Sequence, residues 1–514
     1  MATFSAHDMK RIVEEMPRAV PPEHVGTDST RMAALAEATS GQHGGRAISP
    51  IVLGGVVRLV EFALVAATGL LVHRLYVEPP IGTEFQYFVG IGTVAFLTML
   101  MFQALDVTHV GALRTPIDHG LKIAGGWALV FLTAMAMVFF LKLEGTYSRV
   151  WLVSWFSLGL LVIAVERLCV AFFVRHLTRI GRLDRRTVVV GGGAAGEQLL
   201  HDLAAQKDSD LRIYGVFDDR TDTRSPDVVA GFPKLGNVDD LVEFARHTRL
   251  DLVIFTLPIT AEQRLLQMLR KLWVLPIDIR LAAHMNKLRF RPRSYSYIGN
   301  VPVLDVFDKP IADWDVVLKA AFDRIVGTAC LLLASPIMLA VAIAVKTTSK
   351  GPILFKQKRY GFNNELIEVY KFRSMFADKL DYTAAKQVTR DDPRVTRVGR
   401  FIRKTSLDEL PQLLNVIFQG NLSLVGPRPH AVNAKAAERM YDEVVDGYFA
   451  RHRVRPGITG WAQVNGWRGE TDTPEKIQGR VEHDLYYIEN WSILFDLYIV
   501  LITPFALLKA ENAY

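Results

Sequence analysis

Cysteine is almost missing: the 514 residues contain two, Cys169 and Cys330, both inside apolar runs. That excludes a disulfide framework, suits a cytoplasmic face and leaves both as packing residues. No dedicated basic module accompanies the formal charge of +7, so a nucleic-acid partner is excluded and the surplus reads as loops facing anionic lipid. No cleavable signal peptide stands at the start. Residues 1–50 mix Pro, Gly, Thr, His and both charges without apolar periodicity, and read as a disordered tail. Internal repeats are absent as well.

Long apolar runs, by contrast, are plentiful. Half the chain is hydrophobic and its mean hydropathy is positive. Its length allows two or three domains of roughly 100–200 residues. Four runs, over 51–72, 86–105, 121–141 and 150–174, each approach the ~20 residues a membrane-crossing helix needs, giving a four-helix transmembrane region over 51–175. Arg58 and Glu61, three apart in the first run, either pair on one helical face or belong to a late-starting helix with Arg58 at the interface. Glu166 and Arg167 raise a similar question in the fourth. Arg175, Arg179, Arg182, Arg185 and Arg186 follow the fourth run and place that end in the cytoplasm, and the N-terminal tail with it.

Residues 186–300 read as a soluble α/β module. Thr187–Val190, Ile213–Phe217 and Leu252–Leu257 are strands, and Glu197–Gln206 a helix. The alternation predicts a parallel, doubly wound sheet. Gly191-x-Gly193-x-x-Gly196 follows the first strand, and Asp218 ends the second, the context of a dinucleotide fingerprint. These residues are a possible nucleotide site or an inherited fold that binds nothing.

A fifth run, 325–345, has Ser335-Pro336 at its centre and basic flanks, Lys319 and Arg324 before, Lys346 and Lys350 after. Pro336 removes an N–H and kinks the helix, and Ser335 can bond a freed carbonyl. The expectation is a re-entrant helix-break-helix that leaves by the face it entered, against the alternative of a kinked crossing.

Beyond it, Asp408 and Glu409 lie beside Pro411, at the predicted start of a helix. The bland reading is a capping box from Ser406 to Glu409. Separate cations surround the pair in sequence: Lys356, Lys358, Arg359, Lys371, Arg373, Arg400, Arg403, Arg428 and Arg455, with Gly and Pro turns at Gly426-Pro427, Pro429 and Pro456-Gly457. Each alone is an ordinary surface charge. Together with one carboxylate pair they suggest a diphosphate and a divalent metal, and a carboxylate that attacks phosphorus.

Four stretches carry a resemblance: Lys371-Phe372-Arg373-Ser374-Met375, Ser406–Gln412, Leu424–Pro429 and Pro456–Gly466. Residues 317–514 resemble the bacterial sugar transferases, the monotopic polyprenyl-phosphate phosphoglycosyl transferases. The four-span region and Rossmann-like (CoA-binding-like) module resemble their large members, most of all the undecaprenyl-phosphate glucose phosphotransferases of exopolysaccharide assembly. The resemblance implies an α/β catalytic domain over 312–514. It also implies that Asp408 attacks UDP-glucose, UMP leaves, and undecaprenyl phosphate takes the sugar phosphate from Asp408. Glu409, with Asp408, would hold Mg2+. The substrate-binding set would be Lys371, Arg373, Arg400, Arg403, Pro427, Arg428, Pro429 and Arg455. A homodimer in the bacterial inner membrane, with its catalytic domain cytoplasmic, is the implied setting. UDP-galactose is an alternative donor. A different class, an NAD-dependent dehydratase or epimerase, would use Tyr382-x-x-x-Lys386, which lies in the wrong domain. A scaffold or transporter leaves Asp408-Glu409 unexplained.

Overall fold

The computed structural model describes residues 47–78, 85–143, 146–206, 210–220, 226–257, 262–282, 296–298, 301–376, 392–430, 435–436, 439–440, 447–467, 469 and 473–509. Most of the N-terminal tail, together with Tyr382 and Lys386, lies outside them. Residues 41–185 form one compact unit and 186–514 another. Five described helices are long and apolar enough to cross a membrane, and the chain is a membrane protein.

The first unit holds four of these helices: α1 (Pro50–Val72), α2 (Phe85–Ala104), α3 (Gly120–Phe140) and α4 (Arg149–Arg179). Ser49 and Ser148 cap α1 and α4 by accepting from Val52 and Trp151 N–H groups. Tryptophans fill the interior, and lipid offers no partner for an indole N–H. Each therefore donates to a backbone carbonyl: Trp151 to Gly69 at 3.1 Å, Trp155 to Val65 at 3.1 Å and Trp127 to Phe156 at 3.0 Å. Leu59, Leu132, Val153 and Phe172 point outward. Arg58 and Glu61 do not pair. Arg58 donates to Gln103 at 3.0 Å, and the buried Glu61 pairs with Arg167. Arg167 also lies 3.7 Å from Glu166 and donates to the Val107 carbonyl at 2.8 Å. Partners drawn from three chain segments are invisible to spacing within one helix.

The second unit opens with an eight-stranded sheet in the order β3-β4-β2-β1-β5-β6-β8-β7. Its strands are β1 (Arg185–Val190), β2 (Leu211–Phe217), β3 (Val228–Val229), β4 (Phe232–Gly236), β5 (Leu252–Phe255), β6 (Asp278–Ala282), β7 (Ser296–Ile298) and β8 (Val301–Phe307). The pairs β1–β5, β2–β4 and β5–β6 are parallel. Strand side chains alternate faces. Val189 packs with α5 (Ala194–Ala204), while Val188 and Val190 pack with α6 (Val238–His247) and α7 (Glu262–Leu272). Helices thus cover both faces, as the alternation predicts. The sheet also runs past residue 300, because β8 pairs antiparallel with β6.

The rest of the unit is built on α8 (Asp313–Thr348). Its helical residues are unbroken, so the expected break at Ser335–Pro336 is not a loop. Pro336 orphans the Leu332 carbonyl, and Ser335 Oγ donates to that same oxygen at 2.8 Å, keeping the helix continuous. Lys319 is not a free basic flank either. It is buried, 2.6 Å from Asp496 and 2.9 Å from the Val425 carbonyl. Asp323 accepts from Ser423 and Leu424. Farther along α8, Val341 and Val345 pack with Phe372 and Ile402. The domain is completed by the antiparallel hairpin β9 (Leu354–Tyr360) and β10 (Leu366–Phe372), by α9 (Arg397–Lys404), and by β11 (Ser423–Val425). It closes with α10 (Pro474–Glu489) and the apolar α11 (Ile493–Lys509).

Candidate active site

Asp408 and Glu409 sit in a single 3-10 turn, Leu407–Glu409, preceded by Ser406 in the left-handed region (φ 59°). The capping box of the bland reading does not form: Ser406 makes no side-chain cap bond, the Glu409 N–H donates to the Ser406 carbonyl at 3.2 Å, and the Glu409 carboxylate turns to Lys371 and Arg428. Leu407 and Leu410 rest against Val341, Val345 and Ile402, which sets the pair beside the second half of α8.

Three elements converge on it. The end of β10 brings Lys371, whose Nζ donates to Glu409 Oε1 at 2.8 Å. The turn after β11 brings Arg428, whose fork meets both Glu409 oxygens at 3.1 and 2.6 Å. Helix α9 brings Arg403, near enough to act on Asp408 through charge. The Arg428 turn is fixed by its backbone: Gly426 donates to Thr459 and accommodates no Cβ, and Gly457 donates to the Pro427 carbonyl at 3.0 Å.

Two neighbouring carboxylates are thereby driven apart. Arg428 and Lys371, bonded to Glu409, hold it well below the ordinary carboxylate range against the cost of burial. Asp408 receives no hydrogen bond among the described residues. Burial pushes it up to about 6, with Lys371 lowering it, Glu409 raising it, and Arg403 and Arg428 lowering it in turn. Three cations around two carboxylates leave a surplus positive charge, suited to an anionic ligand.

The remaining predicted residues lie elsewhere. Arg373 is buried and caps α8, donating to the Ser349 carbonyl and hydroxyl at 2.7 and 2.8 Å. Arg455 donates to the carbonyl of Gly420 at 3.2 Å. Arg400 is exposed on α9, Pro427 is buried and Pro429 half-buried, its carbonyl accepting from Arg359. In the sheet domain, Gly191 and Gly193 form the expected loop before α5, and Gly196 lies buried in the first turn of that helix. Asp218 accepts from the Gly192 N–H at 2.7 Å, so one loop donor is bonded within the protein.

Sequence reasoning missed Arg451 and Asp484. Arg451, fully enclosed, pairs with Asp484 and donates to the Arg428 carbonyl at 2.9 Å. Nothing in the Arg-rich run 451–455 marks one arginine as buried.

Among the described residues no cluster of three or more His, Cys, Asp or Glu forms a metal cage. A Mg2+ ion held by one or two carboxylates and substrate phosphates needs no such cage, and the adjacent Asp408 and Glu409 fit that donor set.

Apolar helices joined to a cation-ringed carboxylate pair define a membrane-embedded transferase. A sequence model of the bacterial sugar transferases matches residues 314–510, and one of a CoA-binding domain matches 103–283. The chain is 36% identical over 426 residues to the UDP-glucose:undecaprenyl-phosphate glucose-1-phosphate transferase of Escherichia coli K12, covering 82% of this chain and 89% of that one. It is 32% identical to the protein of the same name from Xanthomonas campestris pv. campestris, covering 89% and 94%. The exopolysaccharide production protein PSS of Rhizobium leguminosarum bv. phaseoli is 49% identical over 186 residues, 36% of this chain and 92% of PSS. The chain belongs to the bacterial sugar transferase family.

Proposed function

We propose that this enzyme transfers glucose 1-phosphate from UDP-glucose to undecaprenyl phosphate, giving undecaprenyl-diphospho-glucose and UMP, the first step of an exopolysaccharide repeat unit. The observation that carries the reading is the contrast within the dyad. Glu409 is bound by two cations, while the Asp408 carboxylate beside it receives no hydrogen bond among the described residues and is ionised near neutrality. The relatives' names supply the substrates.

In the first step an Asp408 oxygen attacks the β-phosphorus, the bond to the UMP oxygen breaks, and glucose phosphate remains on Asp408 as an acyl phosphate. In the second, an oxygen of undecaprenyl phosphate attacks that phosphorus and Asp408 leaves as carboxylate. Lys371, Arg403 and Arg428 neutralise phosphate oxygens in both steps. Asp408 and Glu409 would hold Mg2+, which would supply further charge compensation for the diphosphate.

The four helices of the first unit form a transmembrane bundle, and α8 re-enters the cytoplasmic leaflet rather than crossing. Support comes from the ends of its apolar run. As a straight helix, Lys319 to Val345 would span roughly 39 Å, more than the ~30 Å bilayer core. Yet Lys319 bonds Val425 and Asp496 while the Val345 turn packs on Phe372, all within one folded domain. One domain cannot lie on both sides of a membrane. The catalytic domain is then cytoplasmic, in the bacterial inner membrane.

The test is intact-protein mass spectrometry after mixing with UDP-glucose and Mg2+ and no lipid acceptor. A hexose-phosphate adduct on Asp408, absent from Asp408→Asn, is expected, together with UMP. Turnover by Asp408→Asn at a substantial fraction of wild type would refute the covalent route. The same assay over UDP-galactose decides the sugar.

A further inference from the structure

Of the two cations that hold Glu409, Lys371 stands on an element whose far end seats on one corner of the Rossmann-like domain, and Arg428 is held by a second element that seats on the same corner. The first arm is the β9–β10 hairpin. At its turn Asn363, buried and at φ 52°, donates through Nδ2 to the Ala245 carbonyl at 2.9 Å. Next to it Glu365 accepts from Arg249 Nη2 and Nε at 2.8 and 3.1 Å. Along β10 from Glu365, about 20 Å away at strand rise, Lys371 meets Glu409. The second arm is the turn Tyr448–Arg453. The Arg246 guanidinium lies 4.9 Å from the Phe449 ring centroid, and the Trp273 indole fills the space where a side chain on Gly447 would stand. Two residues past Phe449, Arg451 donates to the Arg428 carbonyl. His452 Nδ1 and Asn364 Oδ1 tie the two arms together.

We propose that this corner, the end of α6 and the residues just after it, is a positioning device for the transferase. Docking of Asn363, Glu365 and Phe449 on Ala245, Arg249 and Arg246 sets where Lys371 and Arg428 stand, and so how well the site receives the diphosphate of a nucleotide sugar. The proposal rests on the phosphoglycosyl transfer reading above. A strand held at its turn and a buried arginine held by its neighbour both transmit a shift, because packed elements move as units. The Rossmann-like domain then serves the chemistry through contact, with no ligand of its own required.

The test uses the full chain in nanodiscs, with UMP release measured against UDP-glucose concentration. The variants are Arg249→Glu, Glu365→Arg, the double swap Arg249→Glu with Glu365→Arg, and Asn363→Asp, which sets an acceptor against the Ala245 carbonyl. Each single variant is expected to melt near wild type and to raise KM for UDP-glucose by about fivefold, the scale of one ion pair or interdomain hydrogen bond. The double swap should return KM to within about twofold of wild type. A merely structural contact would change the folded amount and leave KM alone. Should Asn363→Asp misfold, Asn363→Gly keeps the positive φ, deletes only the bond, and is expected to raise KM in the same way. Folded single variants with wild-type KM, or a double swap that recovers nothing, would overturn the proposal alone. A wild type that releases no UMP from UDP-sugars would overturn it together with the reading it rests on.

Discussion

The pH dependence of the first half-reaction tests the dyad most directly. Burial and the Glu409 charge raise Asp408 to about 6, against the pull of Lys371, Arg403 and Arg428. A nucleophile must be ionised, so the active form is lost as pH falls through that value. About nine-tenths of Asp408 is ionised at pH 7 and about one-tenth at pH 5, so the rate should fall roughly tenfold between them. Rapid-quench measurement of UMP formed in a single turnover, without lipid acceptor, isolates this step. Replacing Arg403 by Ala removes a cation that favours the ionised form, and the acid limb should move to higher pH. Arg403 makes no side-chain bond to Glu409, whose partners are Lys371 and Arg428, so the Glu409 clamp should survive the change. A rate independent of pH between 5 and 7, or an acid limb that moves down in Arg403→Ala, would show that Asp408 is not the group being titrated.

Two other outcomes are expected. Chelation with EDTA should abolish UMP release and added Mg2+ should restore it, since a carboxylate approaching a diphosphate needs charge compensation; full activity in chelator would remove the metal from the site. Cysteines introduced at Ala320 and Lys350, in a background lacking Cys169 and Cys330, should both resist an impermeant thiol reagent in intact spheroplasts and react once the membrane is opened. Labelling of the 350 site from outside would mean that α8 crosses.

The sequence by itself determined the parts whose physics is local. Apolar runs of membrane length became four helices within a few residues of the expected limits, because hydrocarbon leaves a backbone little choice but to bond itself. The alternation of strands and helices foretold the wound sheet, because strand periodicity alone decides which side chains meet α5 and which meet α6 and α7. The dyad and its cations were legible as residue types in a motif series. What only the tertiary structure decided is which charges meet. Glu409 and Ser406 have capping-box spacing, yet Lys371 and Arg428, cations from distant elements, take the Glu409 carboxylate instead, since hydrogen bonds between charged groups are stronger than neutral ones. Arg373 and Arg428 each stand just past a strand, but one caps a helix and the other grips the dyad. Glu61 lies one helical turn from Arg58 and bonds Arg167 instead. Charge acts through space at short range, and the neighbours that satisfy it are chosen by packing, which no single stretch of sequence contains.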